Sequence, residues 1–256
     1  LALLAGPARA APEQPVLVDF AQPALTAEQL GVVVNDDDAD SVAVAAYYMD
    51  RRGIPAANLI HVRFRPGRAT LTREEFVNLK RQVDRRTPKN VQVYALAWAQ
   101  PYRVDCMSIT SAFTFGFDPA YCASGCKPTK PSAYFNSSVT QPWNIYKIRP
   151  TMSLAAASVA EAKKLIDRGI AADGSDPAGT AYLVSTTDRN RNVRAADYAG
   201  LRAQLHSVLP VEIVETNALE KRRDVLFYFT GIAQVAAFDS NGFLPGAVGD
   251  HLTSAG

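Results

Sequence analysis

Cysteine and histidine are the side chains in this sequence that are best suited to nucleophilic and acid–base chemistry, and the chain has three of each. Cys122 and Cys126 flank a glycine-containing turn, and thiols so close in sequence tend to pair in an oxidising compartment. That pairing would leave Cys106 as the odd cysteine. A reactive cysteine needs a base, and His251, which follows Asp250, is the histidine that would form a catalytic pair with Cys106. We favour a structural thiol at Cys106 and keep this catalytic pair as the alternative.

A run of acidic residues could bind a cation. Asp36, Asp38 and Asp40 have the alternating spacing that begins a calcium loop. The sixth and twelfth positions of such a loop would, however, be Ser41 and Tyr47 instead of glycine and an acidic residue. Carboxylates are also favoured at a helix N-terminus. We therefore interpret the run as helix capping by Asp40 or Ser41, keep metal binding as the alternative, and predict no metal ion and no cofactor.

Other polar and aromatic residues follow predicted strands and could bind a carboxylate or phosphate group. Arginine forms forked hydrogen bonds to such groups, and ligands of open α/β sheets bind at the carboxyl ends of strands. A solvated loop of salt bridges explains the arginines equally well. If a ligand binds, we expect it to contact Asn35, Asp36, Trp98, Arg103, Asp188, Arg189 and Arg191.

The elements that would position these residues alternate between strands and helices. The apolar run from Leu30 to Asn35 is typical of a strand buried on both faces, and Thr72 with Glu75 forms a capping box that begins a helix. This alternation predicts a three-layer, doubly wound α/β fold with a mainly parallel sheet. The expected strands are 30–35, 59–64, 91–98, 179–186, 211–214 and 225–230. His251 is expected in a helix or turn beyond the last strand.

About fifty residues after the third strand, 99–150, have no clear periodicity. An unstructured loop of this length is uncommon in a compact domain, and its many aromatic residues argue against disorder. We interpret it as an ordered insertion that lies over the carboxyl edge of the sheet and carries all three cysteines. The expected organisation is a residual signal peptide at 1–10, an extended lead at 11–28 and a single α/β domain at 29–256.

The first ten residues are similar to the end of a secretory signal peptide. An apolar run precedes Gly6-Pro7, and Ala8 and Ala10 fill the small-residue positions of a cleavage site. We therefore expect an exported protein, periplasmic or extracellular, that is cleaved after Ala10. No other apolar run reaches the roughly 20 residues of a membrane helix. The formal charge of +2 is too balanced to predict a nucleic acid partner, and no other partner is indicated.

Blocks along nearly the whole mature chain resemble a family of exported bacterial conserved proteins whose activity is uncharacterised. They include Val34-Asn35, Arg52-Gly53-Ile54-Pro55, Cys106-Met107-Ser108-Ile109-Thr110, Tyr134-Phe135-Asn136-Ser137, Ile148-Arg149-Pro150 and Phe243-Leu244-Pro245-Gly246-Ala247. Members of that family continue into another strand and helix. The resemblance therefore implies that this chain is truncated at its C-terminus, and it implies no activity.

A second resemblance concerns the fold alone. The order of Phe227 to Gly231, Leu244 to Gly246 and the pair Thr253-Ser254 is similar to the two strand ends that carry the catalytic histidine and cysteine of gingipain-like cysteine peptidases, which have a caspase-like fold. In this chain an isoleucine follows Gly231 where those enzymes have a histidine-containing turn, and neither member of the pair is a cysteine. The resemblance implies a shared fold without the catalytic pair.

These patterns lack a complete catalytic triad, metal-ligand set or phosphate-binding glycine loop. We therefore favour an exported binding or assembly module on a catalytically silent α/β fold. The alternative is a hydrolase, similar to cysteine peptidases, that uses Cys106 and His251 or residues beyond Gly256. The biochemical function itself does not follow from the sequence.

Overall fold

Parallel strands and the helices between them make up most of the protein. The structure, a computed structural model, describes residues 25–123 and 128–252. The strands are β1 (Leu30–Asn35), β2 (Leu59–Val62), β3 (Thr70–Leu71), β4 (Val93–Leu96), β5 (Arg103–Val104), β6 (Met107–Ser108), β7 (Thr151–Ser153), β8 (Thr180–Ser185), β9 (Val211–Glu215), β10 (Val225–Thr230) and β11 (Phe243–His251). The α-helices are α1 (Ala39–Arg52), α2 (Arg73–Arg86), α3 (Ile109–Phe115), α4 (Pro142–Tyr146), α5 (Val159–Ala172) and α6 (Tyr198–Leu205).

The chain divides into two units, a first that ends at Gly174 and a second that begins at Ser175. The first unit contains a parallel sheet with the order β2-β1-β4-β7 and a small sheet of β3, β5 and β6. The second unit contains a parallel sheet with the order β9-β8-β10-β11. Each parallel sheet places its first strand inside and its second strand at an edge. The predicted α/β class is confirmed, with two parallel sheets where we expected one.

Helices cover both faces of the first sheet because successive side chains of a strand point to opposite faces. Val33 and its neighbours on one face pack against Phe76 and Val83 of α2. Val32 and Val34 face the other side, where α1 and α5 pack against the sheet and against each other. This arrangement is the three-layer architecture that the sequence predicted.

Local signals fix the ends of the first helices. Asp38 is the N-cap of α1, where its side chain accepts a hydrogen bond from the backbone of Asp40, so the expected cap at Asp40 or Ser41 was wrong by two or three residues. Gly53 ends α1 in the left-handed conformation, at a φ of 61°, which glycine adopts without a steric penalty. The capping box of Thr72 and Glu75 at the start of α2 is confirmed.

The capping box gives a pH dependence that can be measured. A hydrogen bond from Arg68 is the largest cause that lowers the pKa of Glu75 to about 2, from an ordinary value of 4.5. The contribution of the ionised Glu75 to the free energy of unfolding is therefore fully present above about pH 4.5 and is lost as the pH falls toward 2. Because the side chain is 41% exposed, we expect less than about 1 kcal/mol. Urea unfolding of Glu75→Gln should show a shallower loss of stability over this interval, and an unchanged pH profile would contradict the assignment.

The insertion packs partly into the core of the first unit. Ile109 and Phe113 of α3 are buried with Phe76 and Tyr94, and the ring of Phe113 meets both of those rings edge-on. We expected the insertion to lie over the carboxyl edge, but this part of it covers the face of the sheet that carries α2. The reason is that burial of large aromatic side chains such as Phe113 in the core contributes strongly to the free energy of folding.

The second unit differs from the prediction at its last strand. His251 was expected in a helix or turn, but it ends β11, which pairs in parallel with β10. The sequence does not predict β11 because Pro245, Gly246 and Gly249 have low strand propensity. An edge strand tolerates proline, since one of its sides makes no ladder hydrogen bonds.

Candidate ligand-binding site

A pocket of about 330 Å³ opens at the carboxyl edge of the first sheet. It is lined by the segments that follow β1, β4 and β7 and by the first turns of α1 and α5. The polar part of the lining consists of Asp38, Asp40, Ser41, Trp98, Gln100 and Ser158. This volume is within the range of small-molecule sites in proteins.

The strand order explains why a pocket forms there. The crossover from β1 to β2 passes through α1 on one face, and the crossover from β2 to β4 passes through α2 on the other. The chain segments that leave β1 and β4 therefore diverge and leave a crevice between them. The sequence prediction placed ligand binding at this edge, and in the first unit a pocket lies there.

The pocket is rich in hydrogen-bond acceptors. The carboxylates of Asp38 and Asp40 form no ion pair with any residue in the described ranges. Ser158 is the N-cap of α5, and its hydroxyl accepts a hydrogen bond from the backbone of Glu161. The capping side chains therefore already accept hydrogen bonds from some of the free backbone N–H groups at the start of α1 and α5. A ligand that donates hydrogen bonds or carries a positive charge would complement this lining.

Asn35 is fully buried and contacts Ser41, which lines the pocket. Its side-chain amide donates to the carbonyl of Phe64 at 2.9 Å, and its side-chain oxygen accepts from the Phe64 backbone at 3.1 Å. The backbone N–H of Asn35 donates to the hydroxyl of Ser41. Asn35, a predicted ligand contact, thus ties together the segments after β1 and β2.

Asp36, the second predicted contact, points to β2. Its carboxylate lies 2.8 Å from Nδ1 of His61, and Arg63 reaches its other oxygen at 3.9 Å. Asp37 holds the same arginine at 2.9 Å. These groups form an exposed charged cluster beside the pocket, and Asp36 does not line the pocket itself.

Trp98 and Arg103 take different positions. Trp98 lines the pocket from a site that is only 3% exposed, and its indole N–H donates to the carbonyl of Pro101. Its ring packs edge-on against Phe64. Arg103 belongs to the small sheet, where its Nε donates to the hydroxyl of Thr70 at 2.8 Å.

The predicted residues of the second unit lie at the carboxyl edge of its own sheet. Asp188 and Arg191 form an ion pair of 2.9 Å. Desolvation opposes ionisation of Asp188, but hydrogen bonds from the side chain and backbone of Arg191 and the backbone of Asn190 together lower its pKa. Arg194 pairs with Asp250 at 2.5 Å. These contacts match the interpretation of the loop as a set of salt bridges, while Arg189 is exposed.

The cysteine pairing differs from the prediction. A disulfide joins Cys106 to Cys122, with their Cα atoms 5.6 Å apart, so the expected pairing of Cys122 with Cys126 was wrong. Cys126 lies outside the described residues, as do the expected cleavage site after Ala10 and the pair Thr253-Ser254. Spacing alone favours a short loop, but the core decided the pairing by packing Cys122 against the side of the sheet that carries Met107.

The disulfide limits the chemistry of the candidate catalytic pair, Cys106 and His251. Cys106 has no thiol while it is bonded to Cys122, and a thiolate is the form that reacts. His251, in the second unit, contacts the backbone carbonyl of Ile232 through Nε2. Nucleophilic chemistry at Cys106 would therefore first require reduction of the disulfide.

A second pocket, of about 420 Å³, opens at the opposite, amino edge of the first sheet. Its lining is mainly apolar and aromatic and includes Tyr48, Tyr94, Tyr134 and Met152, with Arg52 as a charged residue. Sequence reasoning missed this pocket because nothing in the strand pattern marks the amino ends. Asp40 and Ser158 were also missed as pocket residues, although the acidic run and the helix start at Ser158 were visible signals.

Comparisons with protein-family models, with curated proteins and with solved structures gave no match. Within the described ranges, no helix is long and apolar enough to cross a membrane, and no group of three potential metal-ligand residues was found there. The disulfide is consistent with an oxidising compartment.

Proposed function

We propose that the protein is an exported binding module that holds a small polar ligand in the pocket at the carboxyl edge of the first sheet. The observation that carries this proposal is the pair of carboxylates, Asp38 and Asp40, at a pocket of ligand size and without an ion-pair partner among the described residues. A carboxylate without an ion-pair partner can gain a charge-assisted hydrogen bond from a cationic ligand.

The lining indicates the chemical class of the ligand. Besides the two carboxylates, the pocket offers the side chains of Gln100 and Ser158 and apolar surface from Leu154 and Val159. A compact ligand with an amine and several hydroxyl groups would donate to the acceptors and place its carbon skeleton on the apolar wall. An acidic ligand of the same shape would meet like charges, which disfavour binding.

A binding role agrees with the state of Cys106, whose sulfur is in a disulfide. Export is supported by the signal-like residues before Ala11, by that disulfide and by the resemblance to a family of exported bacterial proteins. We therefore place the module in the periplasm or outside the cell.

Two sugars that differ in one charged group test the ligand class. Glucosamine and glucuronate share a hexose ring, but the first carries an amine and the second a carboxylate. A ligand that binds only the folded state stabilises it by about 1.4 kcal/mol at ten times its dissociation constant. Thermal unfolding should therefore shift upward by several degrees with glucosamine at high millimolar concentration and remain unchanged with glucuronate.

A matched pair of variants locates the binding. Ala157→Trp fills the pocket from its rim and should abolish the shift, whereas Ala155→Trp, on an exposed residue of the same loop that does not line the pocket, should keep it. Asp40→Asn should weaken binding about tenfold. Equal shifts with both sugars, or an intact shift in Ala157→Trp, would refute the proposal.

A further inference from the structure

Positive charge is concentrated at the C-terminal end of α2. Residues 81–90 include four Lys or Arg and one Asp, a net charge of +3 in a chain whose formal charge is +2. The basic side chains at this end of the helix are all exposed. They are Arg81, Arg85, Arg86 and Lys89, which we call the basic surface.

The charges of the basic surface are not neutralised by neighbouring carboxylates. Asp84 is held by Lys80, at 2.6 and 2.8 Å. The hydrogen bonds of the basic surface go to uncharged oxygens, from Arg85 to the carbonyl of Arg81 and from Arg86 to the carbonyl of His61 and the amide of Gln82. In the described part of the chain, none of its four residues has an ion pair.

Helix stability accounts for only part of this arrangement. Cations in the last turn of a helix interact favourably with the negative end of the helix dipole, which explains Arg85 and Arg86. Arg81 lies before that turn and Lys89 lies beyond the end of the helix. The basic surface therefore carries more charge than the helix end requires.

We propose that the basic surface docks the protein onto an anionic phospholipid membrane. Clusters of four or more basic residues on an amphipathic helix bind anionic lipid headgroups, and each residue contributes about 1 kcal/mol, roughly fivefold in affinity. Val77, 42% exposed, lies one turn before Arg81 and adds apolar area next to the charges. The long aliphatic stems of arginine can rest on the headgroup region while their charged ends contact phosphate.

A membrane fits this surface better than single-stranded nucleic acid does. Proteins that bind single strands combine basic side chains with exposed aromatic rings on which bases stack. The aromatic residue of α2, Phe76, is buried in the core at 1% exposure. The basic surface thus offers charge without a stacking platform, which suits a layer of headgroups.

Vesicle co-sedimentation of the full chain tests the docking. Vesicles of equal parts phosphatidylglycerol and phosphatidylcholine should pellet the protein at 50 mM NaCl, and pure phosphatidylcholine should not. Binding should weaken steeply at 500 mM NaCl, because exposed charges are then screened. The double variant Arg81→Gln with Arg85→Gln should lower the partition coefficient about 30-fold, and the two corresponding glutamate substitutions should lower it further.

The control places the same change on other exposed arginines, Arg168→Gln with Arg202→Gln, on α5 and α6. This variant should bind vesicles like the unaltered protein. Circular dichroism should show that both variants are folded. Equal binding by the two double variants, equal binding to both kinds of vesicle, or competition by 10 mM inorganic phosphate beyond that of NaCl at matched ionic strength would overturn membrane docking. Tighter binding of an oligonucleotide than of the vesicles would do so as well.

Discussion

Alanine in place of Gly231 is expected to destabilise the second unit by about 3 kcal/mol or more. A Cβ atom at this position would lie 2.0 Å from the carbonyl oxygen of Arg191 and 2.5 Å from its carbonyl carbon. Both are backbone atoms, so no side-chain rotation can relieve the overlap. The carbonyl of Gly231 also accepts a hydrogen bond from the hydroxyl of Thr186, which is 8% exposed.

Urea unfolding followed by circular dichroism measures this effect against a matched control. Gly200 lies in α6 and has nothing within 4 Å of the position of an added Cβ. Gly200→Ala should therefore leave stability unchanged or raise it by up to about 1 kcal/mol, as expected for a helix position. Equal unfolding midpoints for Gly231→Ala and the unaltered protein would show that the loop containing Arg191 does not approach β10 as described.

Loss of the disulfide should have a comparably large effect. The bond between Cys106 and Cys122 closes a loop with a sequence separation of 16, and a loop of this size is worth about 3 kcal/mol in the chain-entropy model. The double substitution Cys106→Ala and Cys122→Ala should lower the free energy of unfolding of the first unit by about this amount. Cys122 also packs against the core around Met107 and Phe113, so the unfolding transition of the first unit should carry the loss.

Cys126→Ser separates the observed pairing from the one that spacing favoured. If the disulfide joins Cys106 and Cys122, this variant should keep the stability of the unaltered protein under non-reducing conditions. Peptide mapping of the unaltered protein should recover Cys106 linked to Cys122. A loss of about 3 kcal/mol in Cys126→Ser, or a recovered peptide that links Cys122 to Cys126, would contradict the structure.

The candidate site was predictable in its location in the fold but only partly in its residues: Trp98 was expected there and lines the pocket. Alternating strands and helices indicate a parallel sheet, and a parallel sheet binds ligands at its carboxyl edge. Which side chains face the crevice depends on rotations of a few residues after each strand. Asn35 was expected to contact a ligand, yet its amide is taken by Phe64. Asp36 does not line the pocket, whereas Asp40, four residues beyond it, does.

The disulfide and the strand pairings could not be predicted from the sequence, because they depend on which distant segments of the chain pack against each other. The choice of Cys106 over Cys126 follows from the packing of Cys122 on the core of the first unit. The division into two parallel sheets depends on which strands become edges, and local pattern does not record this. Likewise, residues 243–251 have little strand propensity of their own, and they form β11 by pairing with the edge of β10.

The sequence by itself determined the α/β class, the order of most strands and helices and several helix ends, such as the capping box at Thr72 and Glu75 and the stop at Gly53. These features depend on residues close to one another in the chain, where periodicity and side-chain chemistry act directly. The tertiary structure alone decided the strand order, the disulfide and the lining of the pocket. Those features depend on contacts between residues far apart in the chain, whose free energy no local pattern contains.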